Sequence, residues 1–221
     1  MRIRAITPIR VGATELARRQ RRYRRLSPAA IEVTLVDLED GPDVPRALET
    51  EDDVRRSERL VVAEARRTSA EEFDVVLPDC VLDPGVGVGA DTPVPLVGIL
   101  SLTAHLLAGT GARFAALTRN EAIAAELAAK VRDYGLADRL TEVRVLGLDV
   151  ASIPDDSAWA DAIGRAVGDL PVATVVNGCS AVELQPHRSG PVIVDPTATA
   201  LRVLGLVAES GLAPRAPAAA R

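Results

Sequence analysis

Short runs rich in Val, Ile and Leu alternate along this chain with longer stretches whose apolar residues recur at helical spacing. This alternation predicts an α/β protein built on mainly parallel strands. Strands are expected over residues 3–7, 31–37, 73–78, 114–118, 141–146, 172–177 and 192–195, and helices over 14–26, 50–68, 101–108, 120–134, 155–167 and 197–210. Three landmarks then occur twice in the same order. A strand ends in Thr7 and, later, in Thr118. A strand runs into Cys80 and, later, into Cys179. A short run at 94–98 precedes one helix, and 191–195 precedes another. The expected fold is therefore two pseudo-symmetric lobes, each a mainly parallel sheet flanked by helices, with a cleft between them. Residues 1–98 and 206–221, the latter a returning helix and a frayed tail, would form the first lobe and 99–205 the second.

Composition narrows the class. The 221 residues are 48% hydrophobic, 26% charged and 2% aromatic, with a formal net charge of -5, which fits an ordinary globular protein. The longest apolar stretch, around residues 94–108, is interrupted by Pro95, Gly98, Ser101, Thr103 and His105, so no membrane span is expected. The N-terminus has no apolar signal region, and a cytoplasmic location is expected. Two cysteines are too few for a disulfide scaffold, and both are expected as free thiols.

In open parallel sheets ligands gather at the carboxyl ends of strands, and Thr7, Cys80, Thr118 and Cys179 all fall there. Two lobes facing each other would bring one thiol to each side of a cleft. One thiolate can then remove a proton from a carbon while the opposite thiol returns one to the other face. The chemistry needs no metal or cofactor, only a carbonyl next to the carbon and fixed N–H donors for its developing oxyanion. The amides of Val81 and Ser180 are candidates, and Gly178 permits close approach of the backbone. The alternative for each cysteine alone is inert packing.

The turn Cys80-Val81-Leu82-Asp83-Pro84-Gly85, with 95–99 after it and 114–118, 178–180 and 191–195 further on, resembles the hydantoin (allantoin) racemase branch of the aspartate/glutamate racemase superfamily. The resemblance implies cofactor-independent racemisation by Cys80 and Cys179 and assembly into a homo-oligomer acting on a small-molecule substrate. It also makes Thr7, Pro8 and Thr118 substrate-binding candidates. Two departures stand out. The first strand leaves through Thr7-Pro8-Ile9-Arg10 where that branch has an Asn-Pro-Asn-Thr-like segment, and Thr118-Arg119 replaces paired threonines. Arg10 and Arg119 could bind a carboxylate bidentately, or face solvent or cap a neighbouring loop. A cyclic ureide is the first substrate expectation. An aspartate/glutamate-type racemase, or a related decarboxylase or isomerase of a carboxylate, is the second. A non-catalytic binding or assembly protein of the same fold is the third.

The remaining features have plainer readings. His105 and His187 are too isolated for a metal site; His105 is expected to be partly buried in a helix, and His187 to lie in a loop. The run Arg18, Arg19, Arg21, Arg22, Arg24 and Arg25 wraps most of its helix in an acidic protein, so pairing with the acidic stretch 37–53, within or between subunits, is expected in place of nucleic acid. The glycines of 83–89 lack a P-loop ending and suggest a substrate loop.

Overall fold

The computed structural model describes residues 1–87, 91–184, 190–212 and 214. His187, Gly89 and most of the tail lie outside them. The first sheet is formed by β1 (Arg2–Ile6), β2 (Glu32–Val36) and β3 (Val75–Pro78) in the order β2-β1-β3. The second contains β4 (Phe114–Thr118), β5 (Leu140–Val145), β6 (Thr174–Asn177) and β7 (Val192–Val194) in the order β5-β4-β6-β7. Every pairing is parallel. The helices are α1 (Ala13–Leu26), α2 (Glu51–Ala65), α3 (Ile99–Gly109), α4 (Glu121–Asp133), α5 (Asp156–Ala166) and α6 (Pro196–Glu209).

The expected alternation of elements is present, with ends shifted by a few residues. Each boundary has a local cause. Thr50 and Asp53 close a capping box at the start of α2, Asn120 caps α4, and Asp195 caps α6, where Pro196 takes the first turn and gives up no hydrogen bond. The expected doubling is visible in the strand order. In the first sheet Leu96 forms a single parallel bridge to Val76, in the place that β7 holds beside β6. That run stays a bridge and does not extend into a strand because Pro95 has no N–H to donate to a ladder.

Strands β3 and β4 are buried along their whole length. Ile3, Leu77, Phe114, Ala116, Leu127 and Leu201 belong to one apolar cluster, so the two sheets share a core. Helix α6 packs on α3 and touches α1, and Gly205 leaves room for Pro28. The expected lobe limit at 205/206 falls inside α6, which is continuous. No helix among the described residues is long and apolar enough to cross a membrane.

Candidate active site

The polypeptide leaves β3 through Asp79 and Cys80, and leaves β6 through Gly178 and Cys179. Both cysteines are free and line one cavity of about 520 Å³ counting its open mouth, with Pro8, Ile9, Leu48, Arg19 and Arg119 among the other walls. The thiols therefore reach the cavity from different sheets, and lie near enough that a negative charge on Cys179 would hold the proton on Cys80. Burial pushes the Cys80 thiol up to about 12; the Leu82 N–H opposes this from 3.4 Å, while Asp79 and Asp83 reinforce it. Burial also raises Cys179, but there the Ala181 N–H and the guanidinium groups of Arg19 and Arg22 pull the other way.

Each thiol turn is held from outside. Trp159 on α5 donates to Asn177 Oδ1 at 3.1 Å, and Asn177 Nδ2 donates to the Cys179 carbonyl at 2.8 Å. Ser180 Oγ donates to the Asp79 carbonyl at 2.9 Å and so ties the second turn to the first. In the first turn Asp83 adopts a left-handed φ of 48°, a conformation short polar residues tolerate best. Its fully buried carboxylate accepts from Leu100 N at 3.0 Å, Ser101 N at 2.7 Å and Tyr134 Oη at 2.8 Å. The Cys-x-x-Asp spacing thus plugs the N-terminus of α3 with the carboxylate and points it away from the cavity. Burial still lifts that carboxyl to about 6, against the pull of those donors.

Gly178 has no room for a side chain: an added Cβ would lie 2.3 Å from the Leu117 carbonyl oxygen and 2.9 Å from Thr118 Cγ2. Gly178→Ala is expected to destabilise the protein by about 1–3 kcal/mol, the range of an overpacked core, and to displace Cys179. A melting temperature unchanged within a degree or so would contradict this.

The predicted site residues divide into two groups. Pro8, Val81, Arg119, Gly178 and Ser180 line the cavity with the two cysteines. The amide N–H groups of Val81 and Ser180 have no hydrogen-bond acceptor among the described residues, which leaves them available to a ligand oxygen. Thr7, Arg10 and Thr118 do not line it. Thr7 Oγ1 donates to Asp37 Oδ1 at 2.8 Å beneath the floor, and Thr118 Oγ1 turns to the Asn120 carbonyl at 3.4 Å. Both threonines are fully buried, because a strand-end hydroxyl finds a backbone or carboxylate partner before it reaches the cleft. Arg10 pairs with Asp37 at 2.9 Å and donates to the Leu38 carbonyl at 3.0 Å. Arg119 borders the cavity, yet its donors go to Glu49 Oε1 at 2.6 Å, the Leu48 carbonyl at 2.9 Å and the Leu148 carbonyl at 3.3 Å. His105 is exposed, beside the Tyr134 ring at 5.9 Å, and not partly buried as expected. Gly85 donates to Glu58 on α2 at 3.1 Å and does not border the cavity, so this part of the glycine run serves the fold.

The arginine run corrects a second expectation. Arg18, Arg19, Arg22 and Arg25 form one stripe at helical spacing, while Arg21 and Arg24 are exposed on the other side. The stripe pairs with Glu15, Asp79, Glu183 and Asp195, and not with residues 37–53. Those acids have nearer partners: Asp37 takes Arg10, Asp40 takes Arg46, Glu49 takes Arg119, and Asp53 caps α2. Arg19 and Asp79 are thus site residues that pattern alone did not reveal. The one available signal was the carboxylate directly before Cys80.

With this geometry established, likeness to known proteins can be weighed. The family described as Asp/Glu/hydantoin racemase matches residues 13–204. A hydantoin racemase from Rhizobium meliloti is 25% identical over 155 residues, which span 68% of this chain and only 62% of that protein. Among solved structures, an allantoin racemase from Pseudomonas fluorescens superposes with a TM-score of 0.79 at 18% identity, covering 100% of this chain and 99% of that one. An allantoin racemase from Klebsiella pneumoniae gives 0.76 at 19% identity over 96% and 89%. Arylmalonate decarboxylase shares the fold more distantly, with a TM-score of 0.61 at 18% identity over 99% and 96%. The match over residues 13–204, which takes in six of the seven strands, places the chain in the Asp/Glu/hydantoin racemase family.

Proposed function

We propose that this protein is a cofactor-independent racemase of a five-membered cyclic ureide, a 5-substituted hydantoin or allantoin, with Cys80 and Cys179 as the opposed acid and base. The carrying observation is that two thiols from different sheets border one cavity. One thiolate accepts the proton on the ring stereocentre, and the electron pair of the broken C–H bond moves onto the neighbouring carbonyl. The Val81 and Ser180 amides, pointing at no acceptor of their own, stabilise that oxygen. The other thiol then delivers its proton to the opposite face.

A carboxylate substrate is the second reading, and the arginines count against it. Arg10 is paired through Nη1 and Arg119 through Nη1 and Nη2 with carboxylates and carbonyls, and Arg19 stands between Glu15 and Asp79. The walls thus hold paired charge and apolar surface, which suits a neutral ring better than a diacid. The test is incubation of single enantiomers of a 5-substituted hydantoin and of allantoin in deuterium oxide. Deuterium at the stereocentre with loss of optical rotation is the expected result. Carbon dioxide released from a malonate-type acid would favour the decarboxylase, and no exchange across the panel would leave a non-catalytic protein.

A further inference from the structure

We infer that Arg19 is a positioning residue that decides which thiol carries the proton at rest: Cys179 is the base that opens the reaction and Cys80 the acid that closes it. This rests on the two-thiol reading above. The two strand ends are alike in path and unlike in charge. Cys80 follows Asp79 and precedes Asp83 by three residues, and both carboxylates are buried to 1% exposure or less. The Cys179 turn, Gly178-Cys179-Ser180-Ala181, contains no acid. The arginine stripe of α1 is fastened to that turn, because Arg18 Nη2 donates to the Ala181 carbonyl at 2.8 Å. Arg19, 5% exposed, borders the cavity alongside Cys179.

Arg19 is itself held in a fixed attitude. Nε donates to Glu15 Oε1 at 2.7 Å and Nη1 to Asp79 Oδ2 at 3.0 Å, while Tyr23 Oη occupies the other Asp79 oxygen at 2.8 Å. Buried charges interact strongly at low local dielectric, so this placement matters more than it would on a surface. The surrounding groups come from every neighbouring element. Glu15, Arg18, Arg19, Arg22 and Tyr23 come from α1, Asp79 and Asp83 from the β3 turn, Asp156 from α5, Glu183 and Asp195 from either side of β7, and the Arg119–Glu49 pair from the far wall. Of these, Arg19 and Arg22 favour the anion of Cys179 and Asp79 opposes it, whereas Asp79 and Asp83 both oppose the anion of Cys80.

The proton count follows. Cys179 as thiolate takes the proton of the stereocentre and becomes a thiol. Cys80 loses its proton to the opposite face and becomes a thiolate. Before the same enantiomer can be turned over again, one proton passes from Cys179 back to Cys80.

The test needs no substrate, so it stands or falls apart from the racemase assignment. The full-length protein is alkylated with iodoacetamide across a pH series, and modification of each of its two cysteines is followed by mass spectrometry. The pH midpoint is the readout, since absolute rates also reflect access. The wild-type midpoint for Cys179 is expected below that for Cys80. Arg19→Gln is expected to raise the Cys179 midpoint by about one pH unit, a tenfold loss of thiolate at a fixed lower pH, while the Cys80 midpoint does not fall. Arg19→Lys, which keeps the charge, is expected to recover most of that shift. A Cys80 midpoint at or below that of Cys179 in wild-type protein overturns the inference without any variant. So does a folded Arg19→Gln protein whose Cys179 midpoint has not moved.

Discussion

Cys179→Ser is expected to lower racemisation by about 100-fold or more, the scale on which a positioned acid or base contributes, and Cys80→Ser to do the same. A serine hydroxyl is a far weaker acid than a thiol and supplies no anion at these pH values. The two variants should differ in what survives. With Cys80 replaced, Cys179 can still remove and return a proton on one face, so deuterium enters one enantiomer without inversion. With Cys179 replaced, such exchange is confined to the other enantiomer. Wild-type rates are also expected to climb as pH rises above neutral, because burial holds both thiols above their ordinary range. The sign for stability is the reverse. A folded state that keeps Cys80 protonated to about 12 is at full advantage below the ordinary thiol range and loses that contribution as pH rises through 12. Activity and stability should therefore diverge in the alkaline range. Retention of wild-type racemisation by both serine variants would remove the two-thiol mechanism.

Asp83→Ala is expected to cost about 3 kcal/mol of folding free energy, since three hydrogen bonds end on that buried carboxylate and two of their donors are helix N–H groups left without a partner. For a chain of this size the melting temperature should fall by roughly 6–12 °C. Tyr134→Phe removes one of the three bonds and should cost about 1 kcal/mol. The Asp83 carboxylate fastens the turn carrying Cys80 to α3, so kcat should fall along with stability. Gly98 shows how tight the joint is: a Cβ there would lie 2.1 Å from Asp83 Oδ2. An Asp83→Ala protein with unchanged melting temperature would show that the Cys-x-x-Asp turn is held by something else.

Much of the architecture could be read from the chain because its elements carry local signals. Thr50, Asn120 and Asp195 sit where caps belong, and the β-branched runs give the strands. The repeated landmarks also led to the two sheets and to both cysteines at strand ends. What could not be read was the direction of side chains across 60 or more residues of sequence. Arg19 meets Asp79 60 positions away, and Arg22 meets Asp195 across 173. Helical spacing gives a stripe, but only tertiary packing decides which acids it meets. Thr7 and Thr118 fell at strand ends as expected, yet a hydroxyl one residue too early is consumed by Asp37 or the Asn120 carbonyl. Arginine at 10 and 119 suggested either an anion site or a cap on a neighbouring loop, and each is a strut between loops.

One of those struts bears on the shape of the cavity. The Leu48 carbonyl accepts from both Arg119 and Asn120, at 2.9 and 2.7 Å, so a loop of the first sheet is lashed to the second across the mouth of the cavity. One of the apolar clusters is shared by residues of both sheets, so the halves are also joined through packed side chains. Leu48 lines the cavity, so the seating of this loop on Arg119 and Asn120 sets where that wall stands, and its width is governed from the second sheet.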